Sequence, residues 1–312
     1  MEIFIFILKL LLIPLFSPLC IGVIRKIKAI MQNRQGASIL QPYRDLIKLL
    51  SKDEVLPKSA SWIFLITPYL LFTLTIIIAS ALPFLSIGNN IFGVNDFLVI
   101  IYLFMFFSFF LSLAGIDCAS SFGGFGSSRE MTVLALTEGG LFFSILPIAL
   151  LTQTTNISQM TSVLAGLPLT DFVPVLIALI AFIIALLAEN SRIPFDNPAT
   201  HLELTMIHEA MILEYSGKRL ALIEWASFNK LLIFAVIGVT LFLPWGTHAP
   251  VTYFDIIFSV VFTFIKVLIL LGVVALIEST IAKLRFFRLP DLLFTSFILG
   301  VISLFLVITH YV

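Results

Sequence analysis

The residues whose types could do chemistry cluster between Glu189 and Gly217. Glu189, Asp196, Glu203, Glu209 and Glu214 stand there with Arg192, His201 and His208, and Glu224 follows closely. The surrounding chain is nearly as apolar as lipid, with 60% of residues hydrophobic and only 12% charged. Charge is expensive to keep in such surroundings, so a run this dense marks a functional region. Further ionisable residues, Glu130, Glu138, Lys230, Lys266 and Glu278, fall in or at the edges of apolar segments. Each would cost at least ~2.5 kcal/mol facing lipid, so they are expected to point inward or toward water and to pair with one another. Burial and neighbouring charge move carboxylates and lysines toward similar proton affinities, which makes transfer between them cheap. That is the chemistry of a proton pathway.

Its candidate carriers are Glu130, Glu138, Glu189, Asp196, Glu203, Glu214, Glu224, Lys230 and Lys266. Arg129, Arg192, His201, His208 and Glu209 are candidates for a loop that couples those carriers to the aqueous side. Glu130 and Glu138, eight residues apart, lie about 80° apart around a helix and can share one polar face. Lys266 could serve as a structural ion-pair partner or as a relay. Its mid-span position, with little room to snorkel, favours the relay.

Other chemistries find less support. His201 and His208 would share a helical face, so a metal site is conceivable, but neither HExxH nor an ExxH pair is present. Helix packing or pH-sensitive hydrogen bonding accounts for them better, and no metal is assigned. The two cysteines, Cys20 and Cys118, cannot supply the four ligands an iron–sulfur cluster normally needs, so the chain is expected to bind no cofactor of its own. The glycines of DCASSFGGFGSSRE (117–130) do not form a phosphate-binding GxxxxGK[ST] pattern and read instead as a re-entrant turn. No triad or dinucleotide fingerprint is visible. A formal net charge of zero gives no case for nucleic acid.

The elements that must hold these groups are membrane spans. A mean hydropathy of +1.14 over the chain lies far outside the range of soluble domains. Stretches of about 20 apolar residues, long enough to cross a bilayer, lie at 3–24, 62–86, 96–116, 131–152, 172–189, 220–245, 253–280 and 290–309. The expected fold is therefore all-α, a polytopic bundle of about eight transmembrane helices forming one integral membrane domain over residues 1–312. The first span lacks a basic leader and is read as retained. Pro68, Pro83, Pro147 and Pro174 fall in or near spans, where neighbouring helices can satisfy the backbone groups they free. Basic residues concentrate in the loop carrying Arg25, Lys26, Lys28, Arg34 and Arg44, around Arg129, around Arg192, Lys218 and Arg219, and around Lys283, Arg285 and Arg288. The opposite loops, 87–95, 153–171 and 246–252, carry none. The positive-inside rule then puts the charged loops in the cytoplasm and both termini on the outer side. Asp96, Asp171 and Asp255 each begin a span, where a carboxylate can accept from free helix N–H groups. Tyr43, Leu46, Ile47, Leu49 and Leu50 are spaced for a short amphipathic helix, suited to anionic headgroups or to docking a cytoplasmic partner.

Several of these segments match a known family over nearly the whole chain. QNRQGASILQPYRDLIKLLSKDEVLP in the first loop, GSSRE followed by Glu138, ENSRIPFD, and EYSG followed by Trp225 and Lys230 resemble the quinone-proximal membrane subunit of respiratory complex I. The similarity is closer still to its counterparts in membrane-bound hydrogenase complexes, formate hydrogenlyase subunit 4 and hydrogenase-4 component C. The resemblance implies a non-catalytic subunit of an oxidoreductase complex, sited between a cytoplasmic electron-transfer arm and an ion-translocating membrane arm. By motif, Glu130, Glu138, Glu189, Arg192, Asp196, Glu203 and Glu214 would be the family's charged set. A [NiFe] centre and iron–sulfur clusters are expected in partners: hydrogenase-like large and small subunits, a ferredoxin-like subunit and antiporter-like membrane subunits. The setting implied is a bacterial or archaeal cell (inner) membrane. Two departures stand out. Ala199 and His201 replace acidic residues usual in complex I subunits and in the formate hydrogenlyase form, and TMIHEAMIL fills a connection to EYSG three residues shorter. In complex I this loop shapes the quinone entrance, so its rebuilding favours a hydrogenase-type complex over a quinone-binding subunit of an NADH dehydrogenase. A stand-alone ion transporter is a third reading, disfavoured because no internal repeat or pair of broken helices is visible.

Overall fold

The computed structural model describes residues 2–83, 95–168, 172–197, 206–246 and 253–311, with side chains outside 2–9, 253–256 and 310–311. His201, Glu203 and Asp171 lie outside the described residues. The order of elements is α1 (Glu2–Met31), α2 (Gln41–Leu50), α3 (Trp62–Ala81), α4 (Phe97–Asp117), α5 (Ser121–Thr152), α6 (Ile157–Ala165), α7 (Val173–Glu189), α8 (His208–Ile212), α9 (Gly217–Phe242), α10 (Tyr253–Thr280) and α11 (Leu289–Tyr311). Among the described residues there is no strand, only an isolated bridge between Asp96 and Asn156.

Among the described residues, seven helices, α1, α3, α4, α5, α9, α10 and α11, are long and apolar enough to cross a membrane. The eighth expected span, α7, is apolar but has only 17 residues, short of the ~20 that a bilayer asks for. α7 is nonetheless among the most buried helices, with Ala178, Ala181, Phe182, Ala185 and Leu186 fully enclosed. Its small residues let α5, α9 and α11 close around it.

Prolines would leave gaps in this bundle if other helices did not fill them. Pro18 removes the donor that would bond the carbonyl of Pro14, and Trp225 Nε1 donates to that oxygen at 2.9 Å. Pro68 frees the carbonyl of Phe64, which accepts from Tyr215 Oη at 3.0 Å. Pro147 frees the carbonyl of Phe143, and a Cβ at Gly300 would stand only 2.7 Å from that oxygen. Glycine thus lets α11 close on the exposed carbonyl, an approach typical of packed membrane helices. Ser17, Asn229 and Thr75 add a fully buried hydrogen-bonded thread across α1, α9 and α3, with links of 2.6 and 3.1 Å.

The connections differ from expectation in two places. Residues 121–130, expected as a turn, form the first part of the 32-residue α5. Ser120 caps it by accepting from the Gly123 amide at 3.1 Å. Two of its glycines serve close packing: a Cβ at Gly123 would meet the Gly115 carbonyl of α4, and one at Gly126 would meet the Ala210 side chain and the Ile207 carbonyl at 2.8 Å, so α8 rests directly on α5. Residues 157–165, expected as loop, form α6, capped by Asn156. Elsewhere the expected local chemistry is present. Asp96 accepts from the Leu98 amide at 2.9 Å as the cap of α4, and the amphipathic α2 buries Pro42 and Leu46 while Ile47 stays exposed.

The connections bearing the basic residues meet at one end of the bundle. Ser59 Oγ donates to Cys118 O at 2.9 Å, Asp117 accepts from the Ser61 amide at 2.8 Å, and the Leu284 amide donates to Pro194 O at 3.0 Å. Ser216 Oγ donates to Val55 O at 2.9 Å and accepts from its amide at 2.8 Å.

Candidate functional site

Three helices bring the central charges together. Glu189 ends α7, Lys230 lies midway along α9, and Glu130 sits in the first third of α5. Lys230 Nζ lies 3.0 Å from Glu189 Oε1, and both side chains are almost wholly buried. Lys230 also donates to Ser108 Oγ at 3.1 Å and stands 4.9 Å from the centre of the Phe107 ring. An ion pair taken this far out of water persists only with further polar contacts, which Ser108 and Phe107 supply. Glu130 is also buried and, with Glu189, Lys230, Ser108, Asn190, His208 and Ser227, lines a small cavity of about 30 Å³.

A second cavity of about 740 Å³ adjoins it, framed by α1, α8, α9, the end of α10 and the segment after α7. Its polar lining includes Arg25, Lys28, Arg192, Glu209, Glu224 and Glu278. Glu278 is buried between two cations, 2.6 Å from Lys28 Nζ and 3.5 Å from Arg192 Nη1. That triad ties α1, α10 and the RIPFD segment around the cavity.

Asp196 binds the loop on itself. Its Oδ2 accepts from the Ile207 and His208 amides at 3.2 and 3.1 Å, and its Oδ1 pairs with Lys283 Nζ at 2.6 Å. Arg129 donates to Met206 O at 3.1 Å, fixing the same point from α5. His208 is half-buried; burial, then the nearby Lys230 charge, pushes its pKa down to about 4, so the imidazole is neutral at neutral pH. Beside it, burial and the Glu224 and Asp196 carboxylates push Glu209 up to about 7.

The structure thus gathers Glu130, Glu189, Lys230, His208, Asp196, Arg192, Glu209 and Glu224 around two adjoining cavities. It keeps others apart. Glu214 is exposed and lines neither cavity, while its neighbours in EYSG are architectural: Tyr215 stacks on Phe64 with ring centres 3.8 Å apart, Ser216 binds Val55, and Gly217 adopts a positive φ of 53°. Lys266 pairs with no carboxylate among the described residues. It donates to Leu243 O at 2.5 Å and to Trp245 O, closing the negative end of the α9 dipole, with the Phe262 ring 4.8 Å away. Glu138 is half-buried on α5, about 12 Å along the helix from Glu130. Sequence reasoning passed over Ser108, Asn190 and Ser227, whose types are too common in helices to signal a site. Glu278 was visible as an intramembrane acid, but its two cations come from segments far apart in sequence.

A deeply buried Lys–Glu pair beside a cavity with charged residues in its lining, inside a bundle of apolar helices, is the setting of a polytopic membrane subunit. The chain belongs to the family described as NADH dehydrogenase, whose model matches residues 2–310. It is 35% identical over 300 residues to hydrogenase-4 component C of Escherichia coli, covering 95% of this chain and 92% of that one. It is 32% identical over 281 residues to formate hydrogenlyase subunit 4 of the same organism, covering 90% and 91%. A subunit of the NADH-quinone oxidoreductase of Rubrobacter xylanophilus is 30% identical over 280 residues, covering 86% and 82%. The resemblance carried by RIPFD and EYSG is thereby borne out. A chain in the structure of the membrane-bound sulfane sulfur reductase, an archaeal respiratory membrane complex, shares the fold with a TM-score of 0.82 at 19% identity, covering 97% of this chain and 99% of that one.

Proposed function

We propose that this chain is the membrane-anchor and ion-coupling subunit of a membrane-bound, [NiFe]-hydrogenase-like complex of the formate hydrogenlyase or hydrogenase-4 type. It links a cytoplasmic electron-transfer arm to proton translocation in a bacterial or archaeal cell membrane. The observation that carries this reading is the Lys230–Glu189 pair, with Glu130 beside it, adjoining a large cavity with charged residues in its lining, at the end of the bundle where the basic loops meet. Redox events in partner subunits would move charge at the cavity through Arg192, Asp196, His208 and Glu209. The buried pair would respond by gaining or losing a proton, and Glu138 would extend the polar path along α5. The [NiFe] centre and iron–sulfur clusters belong to large, small and ferredoxin-like partner subunits, and antiporter-like subunits would carry the ions.

Replacing Glu138 or Glu203 by Gln, with hydrogen evolution, proton uptake and complex assembly measured, tests the mechanism: wild-type behaviour in all three overturns it. The 740 Å³ cavity, with apolar Ile21, Ile24 and Phe228 in its wall, keeps a quinone-binding role as the second reading. Quinone-site inhibitors that leave turnover unchanged, with no quinone in the purified complex, exclude that reading.

A further inference from the structure

The two cavities share a wall, because Asn190, Ser191, His208 and Ser227 line both. In that wall two side-chain oxygens are buried without a hydrogen-bond partner among the described residues, Asn190 Oδ1 and Ser227 Oγ. Asn190 Nδ2 is already committed to Leu186 O at 2.8 Å, which fixes the amide with its oxygen free. Buried polar atoms are nearly always bonded, to protein or to ordered water. The smaller cavity, at about 30 Å³, has room for about two waters, and its polar walls supply the partners that hold them. His208 stands in the same wall, its backbone pinned by Asp196 at 3.1 Å. On one side it meets the cavity of Lys230, Glu189 and Glu130, and on the other the cavity of Glu209, Glu224 and Arg192.

We propose that Asn190 and Ser227 hold water in this wall, and that the His208 imidazole passes protons from the larger cavity to the carboxylates of Glu189 and Glu130 in the smaller one. The proposal rests on the ion-coupling reading above. A neutral imidazole presents one N–H donor and one lone pair, and the buried surroundings keep His208 neutral at neutral pH. In the step, a proton from the larger cavity's water binds the lone-pair nitrogen. The other ring nitrogen releases its proton through a water in the smaller cavity to a carboxylate. The imidazole ends neutral with its tautomer reversed, and a turn of the ring resets it. The wall therefore moves one proton without leaving a net charge on itself.

The test uses the purified complex containing this chain, reconstituted in liposomes, with proton uptake measured against electron transfer. H208F, which fills the wall with an apolar ring, and H208Q, which keeps hydrogen bonds but carries no proton, are each expected to lower uptake per electron about tenfold or more. H208Q serves alone if H208F does not assemble. A high-resolution map of the wild-type complex is expected to show water within hydrogen-bond reach of Asn190 Oδ1 and Ser227 Oγ. The K230Q/E189Q double substitution, which removes both charges without stranding either, separates the two readings. Wild-type uptake in H208Q together with lost uptake in an assembled K230Q/E189Q complex overturns the histidine route and leaves ion coupling intact. Wild-type uptake in both overturns both, and a dry wall in the map overturns the water site.

Discussion

The energetics of the site are decided by single residues left without partners. Lys230 and Glu189 are each buried and each neutralised by the other. Removing one charge strands the second, so Lys230→Gln is expected to destabilise the protein by about 3–5 kcal/mol, while the K230Q/E189Q pair recovers most of that loss. Thermal melting of the detergent-solubilised complex measures both. His208 and Glu209 give the loop opposite pH responses. The folded-state pKa of His208 is depressed to about 4 from 6.5, so its contribution is present above pH ~6.5 and is lost as pH falls toward 4. That of Glu209 is raised to about 7 from 4.5, so its contribution is present below pH ~4.5 and is lost as pH rises toward 7. Melting temperatures across this range should show a shallower acid-side loss in H208Q and a shallower loss toward neutrality in E209Q. Unchanged slopes would mean that neither side chain is desolvated as the structure has it.

At the scale of elements, motifs that look functional turn out to be partly joinery. Tyr215 and Trp225 each bond a carbonyl that a proline in another helix has freed. Tyr215→Phe keeps the stack on Phe64 but orphans that carbonyl, so it is expected to cost about 1–2 kcal/mol, read as a lower melting temperature without a change in uptake per electron. No shift would assign EYSG to some other role. The helices themselves were legible in the sequence, because uninterrupted apolar runs have few alternatives in a membrane. So was the Asp96 cap, since a carboxylate at a span start has one obvious task. The N-terminal third of α5 was not legible, because three glycines within four residues, Gly123, Gly124 and Gly126, read as a turn until α4 is seen lying against Gly123 and α8 against Gly126. The partners of Lys266 were hidden for a related reason. Its partners are carbonyls at the end of α9, and main-chain acceptors leave no trace in residue types.

At the scale of the whole molecule, the bundle divides into an apolar body and one charged end, and the site lies where the two meet. Composition alone announced the membrane and the charged stretch at 189–217. What it could not announce was convergence: Glu130, Glu189 and Lys230 come from three helices, and the pocket they form depends on α7 being wrapped by its neighbours. The relatives are subunits of hydrogenase-4, formate hydrogenlyase and NADH-quinone oxidoreductase complexes, and in the proposed function the buried pair is the coupling element. The most direct measurement is proton uptake per electron in liposomes holding the assembled complex with the K230Q/E189Q double substitution, which removes both charges without stranding either. The expected result is an assembled complex whose uptake per electron falls about tenfold or more. Wild-type uptake per electron in that complex would contradict the claim.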